Sequence, residues 1–165
     1  MAASNLTPPG RRDTSSIVFA EFAPDDVEVA EAVGEYFAEL GERFPEGFDA
    51  SAPDDGDEFR RPAGCFVVAL ADASPVACGA LRTIGPGIGE IKRMWVHQDW
   101  RGAGLGSRML RELESRSRQL GHRSVRLDTS AALTGAVAMY ERAGYRRVHR
   151  YNDNPYAELF FEKTF

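Results

Sequence analysis

Three apolar runs follow one another between Gly64 and His97, and the gaps between them are too short for anything but turns. The runs are "GCFVVALA" (64–71), "VACGALRTI" (76–84) and "IGEIKRMWVH" (88–97), separated by "DASP" (72–75) and "GPG" (85–87). Connections of that length join antiparallel neighbours, so this stretch is a strand meander. The pattern behind it, "GSRMLRELESRSRQLG" (106–121), is helical: Leu105, Met109, Leu110, Leu113 and Leu120 share one face, and Gly121 closes the end. It leads into a short strand, "SVRLDT" (124–129). A strand–helix–strand crossover makes 88–97 and 124–129 parallel partners.

The flanks complete the order. "SIVFAEF" (16–22) reads as a strand, and "PDDVEVAEAVGEYFAELGERF" (24–44) as a helix whose Val29, Val33, Tyr36, Phe37, Leu40 and Phe44 form one stripe. "PEGFDASAPDDGDEFRRP" (45–62) is a long loop with room for a helical turn, a natural place for a mobile flap. A second helix is expected over 133–144, then strands over 145–151 and 157–165 joined by the turn "NDNP" (152–155). The sum is an α/β (α+β) chain with a mixed, mostly antiparallel sheet, one central parallel pair and flanking helices. Its 165 residues suit one domain, expected over 16–165 behind a flexible leader at 1–15.

Several function classes are disfavoured at once. No apolar run approaches the roughly 20 residues of a membrane span, and the first residues lack the apolar core of an export signal. Cys65 and Cys78 match no metal or disulfide spacing, which points to reduced core thiols in a cytoplasmic protein. The net charge of −5 is unevenly spread: Glu90 to Arg150 holds 13 Lys/Arg against 6 Asp/Glu, and the rest 7 against 19. The basic part is either a solvated face or a surface that meets an anion. It lacks the aromatic platform and the motifs of a nucleic-acid binder, so no nucleic-acid partner is expected.

Inside the basic part lies "QDWRGAGLGSRML" (98–110), with glycines at 102, 104 and 106. Glycine at that density is costly in chain entropy and buries nothing, so something there requires bare backbone. A dinucleotide fingerprint would put a third glycine at Ser107 and start directly after the strand. Here "QDWR" intervenes, and too little chain follows for a dinucleotide fold, although Asp128 tempts one to complete it. A Walker loop needs a lysine, and there is none between Lys92 and Lys163.

The stretch does fit R-x-x-G-x-G through Arg101, Gly104 and Gly106, with "EIKRMWV" (90–96) before it and "AMYERAGYRRV" (138–148) after it. In this order the three resemble the GCN5-related N-acetyltransferases, over roughly residues 64–165. The resemblance implies the acyl-CoA N-acyltransferase fold, acetyl-CoA as donor and a primary amine as acceptor. It implies that Arg101, Gly102, Ala103, Gly104, Leu105, Gly106 and Ser107 hold the pyrophosphate. The physics agrees: first-turn N–H groups and the helix dipole attract an anion, and glycine admits it closely. The resemblance also places the pantetheine arm along Met94, Trp95 and Val96, where the strand parts from its parallel neighbour. Broken alternation around Lys92–Arg93 suggests a bulge or splay there.

Amide formation needs a proton acceptor for the amine and a donor for the leaving thiolate. Glu90 is the candidate base, placed by the resemblance on the central strand; its other reading is a strand-edge surface carboxylate. Tyr140 is the candidate acid, since a phenol near pKa 10 is comparable to a thiol; its other reading is a core aromatic beside Met139 and Ala143. Many relatives carry Asn where this chain has Leu133, which removes one side-chain contact. His97, His122 and His149 show no partner spacing and read as surface residues. A ping-pong route through Cys65 or Cys78 lacks a base, so direct transfer in a ternary complex is expected. The acceptor would sit between the 24–62 segment and "YNDNPYAE", with Arg82, Arg93, Arg60 or Arg61 to receive a carboxylate, which hints at a small amino-acid-like amine. The acidic "PDDGDE" (53–58) either steers a cation or is solvated. A homodimer is compatible with the chain. The other function considered is an acyl-CoA sensor of the same fold without turnover.

Overall fold

The computed structural model describes residues 12–47 and 56–165, so most of the expected leader and the middle of the 45–62 loop lie outside the described residues. Among the described residues, seven strands form one sheet: β1 (Val18–Phe22), β2 (Gly64–Ala71), β3 (Ser74–Gly85), β4 (Ile88–Val96), β5 (Ser124–Thr129), β6 (Arg146–Arg147) and β7 (Leu159–Thr164). Their order is β1-β2-β3-β4-β5-β7-β6. Only β4 and β5 pair in parallel; the other neighbours are antiparallel. Three helices pack on the sheet: α1 (Val27–Arg43), α2 (Leu105–Gln119) and α3 (Thr134–Arg142).

The unbroken apolar run of β2 follows from burial on both faces. Cys65, Val67 and Ala69 join the core with Leu110 and Leu113 of α2, while Phe66 and Val68 meet Val29 and Ala32 of α1. The meander and the crossover therefore take the expected form.

Two features of β4 open the sheet near its centre. Its parallel pairing with β5 runs only from Ile88↔Ser124 to Ile91↔Leu127, while the strand continues to Val96. Opposite β3, the register slips between Cys78 and Ala80, whose partners are Trp95 and Lys92. Arg93 sits in this bulge at φ 51°, a left-handed conformation uncommon for a residue with a Cβ. The irregularity at Lys92–Arg93 is thus a bulge at the point where the two parallel strands part.

The C-terminal part differs from the sequence reading. The strand expected over 145–151 shrinks to Arg146–Arg147. Past it the Val148 N–H still donates to the Phe160 carbonyl at 2.8 Å, and the Arg150 guanidinium donates to the carbonyls of Asn152, Asn154 and Ala157, gathering the turn that follows. Asn152 and Asn154 then close the turn by accepting from the N–H groups of Asn154 and Tyr156.

His122 is not a surface residue. It is 5% exposed, with Nε2 2.8 Å from Thr83 Oγ1 and Nδ1 2.9 Å from Ser117 Oγ. Gly89 makes room for it, since a Cβ there would lie 2.5 Å from Nδ1. Burial lowers the imidazole pKa below its ordinary value. Below pH about 6.5, the unfolded chain takes up a proton that the folded chain resists, so stability falls as pH drops through that region. Glu21 and Glu162, held low by Arg61 and Arg126, act with the same sign but below the ordinary carboxylate pKa of about 4.3. Denaturation midpoints between pH 7 and 5 should therefore fall more steeply for the wild type than for His122→Gln. Parallel curves would remove His122 as the cause.

Candidate active site

The opening between β4 and β5 leads into two cavities that share a wall. The first, of about 640 Å³, runs along the end of β4, the glycine loop and the start of α3. The second, of about 530 Å³, lies between α1, β4, β5 and the 154–157 turn. Tyr36, Leu40, Met94, Leu133, Ala136 and Tyr140 line both.

The glycine loop forms one end of the first cavity. A 3-10 turn at Gln98–Trp100 brings the chain off β4, and Gly102 and Gly104 take φ values of 78° and 83°. These are left-handed conformations that glycine adopts without cost. Gly106 lies close to α3: a Cβ there would lie 3.1 Å from Met139 Sδ. α2 starts at Leu105, so the N–H groups of residues 105–107 belong to a first turn with no acceptor inside the helix. Gly102, Gly104, Leu105, Gly106 and Ser107 line the cavity. Ala103 is buried in the loop and does not.

Arg101 lines the cavity edge but is engaged with protein. Its Nε donates to the Val96 carbonyl at 3.0 Å, and its guanidinium pairs with Glu39 of α1. Arg43 lies 3.3 Å from the same carboxylate. Burial alone would push the Glu39 carboxyl up, but the two guanidinium groups hold it below the ordinary carboxylate range. Arg101 therefore fastens the loop to the end of β4 and to α1. Met94, Trp95 and Val96 line the same cavity along the length of β4 that runs on past its pairing with β5.

Tyr140 of α3 stands where the cavities meet. It is 6% exposed, packed against Tyr145 and Phe161. Its hydroxyl donates to Met94 Sδ at 3.8 Å, and a thioether is a weak acceptor. Burial, with the negative charge of Asp128 added, raises its pKa well above that of a free phenol. Tyr36 of α1, a second phenol on the shared wall, is raised for the same first reason.

Behind the second cavity lies a polar cluster. Glu90 is 1% exposed and lines neither cavity. Its Oε1 accepts from Arg82 Nε at 2.8 Å, and Arg82 also holds Glu58. Asn152 Nδ2 lies 3.3 Å from Glu90 Oε2 and also donates to Asp128. Asp128 does line the cavity, with Lys92 Nζ at 3.0 Å and Asn154 Nδ2 at 3.2 Å. The carboxylate expected at the reaction centre thus stands behind the wall, where position 90 precedes the bulge and pairs with Arg82 of the neighbouring β3. Asp128, weighed in the sequence only as a completion of the dinucleotide pattern, takes the place on the cavity wall.

The arginines sort in the same way. Arg60 pairs with Asp25 and Asp57, Arg61 with Glu21, and Arg82 with Glu58 and Glu90. Of the four expected to receive a carboxylate, Arg93 alone lines the second cavity. Within the acidic stretch, Asp57 and Glu58 pair with arginines, and 53–55 lie outside the described residues. Among the described residues, no cluster suits a metal ion, and no helix is long and apolar enough to cross a membrane. Sequence reasoning set the acceptor between the 24–62 segment and "YNDNPYAE", which hold Tyr36 and the two asparagines, without naming these residues for the site, and it missed Asp128 as a site residue. Asp128 had a usable signal, since it lies near the carboxyl end of a parallel strand, where α/β sheets bind ligands.

Comparison with known proteins agrees with this layout. A model of the family described as "Acetyltransferase (GNAT) family" matches residues 30–145. An uncharacterised N-acetyltransferase of Schizosaccharomyces pombe is 32% identical over 102 residues, which span 61% of this chain and 63% of that protein. A protein of Azospirillum brasilense named IAA acetyltransferase is 29% identical over 154 residues, covering 90% of this chain and 97% of its own. A solved structure from Klebsiella pneumoniae, described as an acyl-CoA N-acyltransferase, superposes with a TM-score of 0.71 at 27% identity, covering 90% and 97% of the two chains.

Proposed function

Because the chain belongs to the GNAT acetyltransferase family, we propose that it moves the acetyl group of acetyl-CoA to a primary amine of a small molecule, by direct transfer in a ternary complex. The position of Tyr140 carries this reading: a buried phenol, neutral at physiological pH and bonded to a weak acceptor, on the wall common to both cavities.

The first cavity fits the donor. Its loop presents bare backbone at Gly102, Gly104 and Gly106, and the α2 dipole favours negative charge there. Gly102 and residues 104–107 would hold the pyrophosphate, with Arg101 fixing the loop that does so. The main chain of Met94, Trp95 and Val96 would pair with the pantetheine arm as an added strand. When bound, acetyl-CoA supplies a thioester carbonyl.

The residues of this chain handle the protons. The amine arrives as ammonium, and Asp128 on the second cavity's wall takes the first proton and passes it to solvent. Glu90 stands behind as a positioning residue, holding Arg82 and Asn152 and, through Asn152, Asp128. The nitrogen forms a bond to the acetyl carbon as the carbon–sulfur bond breaks. Tyr140 gives its proton to the departing sulfur, and the second proton from nitrogen restores the phenol. The balance is an ammonium and a thioester in, and an amide, a thiol and one proton out.

The test is an acceptor screen with acetyl-CoA, read by free-thiol release. Amine-dependent release is the expected result. Binding of acetyl-CoA with no release for any amine would describe a sensor and end the catalytic reading.

A further inference from the structure

The wall shared by the two cavities holds one hydroxyl that no protein group engages. Its six residues are Tyr36, Leu40, Met94, Leu133, Ala136 and Tyr140. Four of these side chains carry no hydrogen-bond donor. Tyr140 has the Met94 sulfur as its acceptor. The Tyr36 hydroxyl has no hydrogen-bond partner among the described residues. A tyrosine drawn out of water normally finds a partner for its O–H, so one left open on a cavity wall is available to a ligand.

The core holds this phenol in place. Tyr36 shares a face of α1 with Leu40, one turn on, and packs against the apolar cluster that includes Ala32, Cys78 and Trp95. Burial, followed by the nearness of Cys78, Tyr140 and Asp128, raises its pKa above that of a free phenol. It is therefore a neutral donor at physiological pH. Two of those neighbours are the groups that serve the sulfur and the amine in the reaction above, so the hydroxyl stands close to both. The transfer leaves one demand unmet. As nitrogen bonds to the acetyl carbon, negative charge builds on the carbonyl oxygen, which then needs a hydrogen-bond donor. The proton of Tyr140 goes to sulfur, and Asp128 takes one from the amine. The side chains of Leu40, Met94, Leu133 and Ala136 have none to give, which leaves Tyr36.

We propose that Tyr36 is a further catalytic residue: its hydroxyl donates a hydrogen bond to the thioester carbonyl oxygen and stabilises the charge that develops there during transfer. The phenol keeps its proton throughout. The hydrogen bond strengthens as the nitrogen–carbon bond forms and relaxes as the carbon–sulfur bond breaks and the amide carbonyl returns. The two phenols of the shared wall thus divide the work, Tyr36 at oxygen and Tyr140 at sulfur. This rests on the N-acetyltransferase reading above and leaves the bonds made and broken unchanged.

The test is Tyr36→Phe, which removes the hydroxyl and keeps the ring that packs on the core. With an amine that supports thiol release by the wild type, kcat should fall by about 100-fold or more, the usual cost of losing one such donor. The KM of the amine and the Kd of acetyl-CoA should stay within about threefold, since the hydrogen bond is strong only when the oxygen is charged. Infrared difference spectra of bound acetyl-CoA, with and without a heavy-isotope label at the thioester carbonyl and with no amine present, give a reading apart from turnover. The carbonyl stretch should lie at lower wavenumber in the wild type than in Tyr36→Phe, and Tyr140→Phe should leave it at the wild-type position. Unchanged kcat in Tyr36→Phe overturns the proposal, as does a carbonyl band that does not move. A loss confined to the KM of the amine overturns it too, and makes Tyr36 an acceptor contact. In those cases amine-dependent release by the wild type still stands, and transfer to amines with it. Absence of thiol release with every amine removes the function and this inference together.

Discussion

Gly104→Glu is expected to abolish binding of acetyl-CoA while the protein stays folded. Two effects act at one position. Gly104 lies at φ 83°, where a residue with a Cβ is strained by roughly 1–2 kcal/mol. The new carboxylate would also stand at the start of α2, at the place proposed for the pyrophosphate, and repel it. Calorimetry should show Kd raised by at least about 100-fold, since like charges held in contact cost several kcal/mol. Gly104→Ala, with the strain but not the charge, should lose far less. The thermal midpoint should fall by only a few degrees in both variants, because about 1–2 kcal/mol moves a domain of this size little. Unchanged affinity in the glutamate variant would remove the loop from the donor site.

Tyr140→Phe is the second large effect. The hydroxyl donates only weakly to the Met94 sulfur, so its loss should scarcely change stability or donor affinity. Turnover should fall by about 100-fold or more, the usual contribution of a general acid. The wild-type rate should hold on the alkaline side, since the raised pKa keeps the phenol protonated beyond the ordinary value of about 10. Equal turnover in the two proteins would leave Tyr140 as a core aromatic. A fall in donor affinity matching the fall in rate would make it a binding residue instead.

The parts of the fold that could be read from the sequence are those set by local chemistry. The meander followed from turns of three or four residues, the crossover helix from five leucine and methionine side chains on one face, and the bulge from failed alternation at Lys92–Arg93. The glycine loop was legible because few structures require three bare positions so close together. What could not be read depends on partners distant in sequence. The strand expected at 145–151 ends early, and the turn after it is gathered by Arg150, which bonds carbonyls as far on as Ala157. His122 looked solvated because Thr83, one of its partners, lies 39 residues away. Asp128 came to the cavity because Asn152 and Asn154 fold back onto it, and Glu90 was withdrawn from it by Arg82. Residue type alone carries none of these choices.

The wall common to the two cavities has a consequence for inhibition. Six residues serve both spaces, with Tyr140 and Met94 at the crossing point. A single molecule joining the sulfur end of CoA to the acceptor's nitrogen through a short linker would therefore occupy both at once. It would give up its translational freedom once, where two separate ligands give it up twice. Such a conjugate should outcompete either half, and its tightest form would report the true distance between sulfur and nitrogen at the moment of transfer.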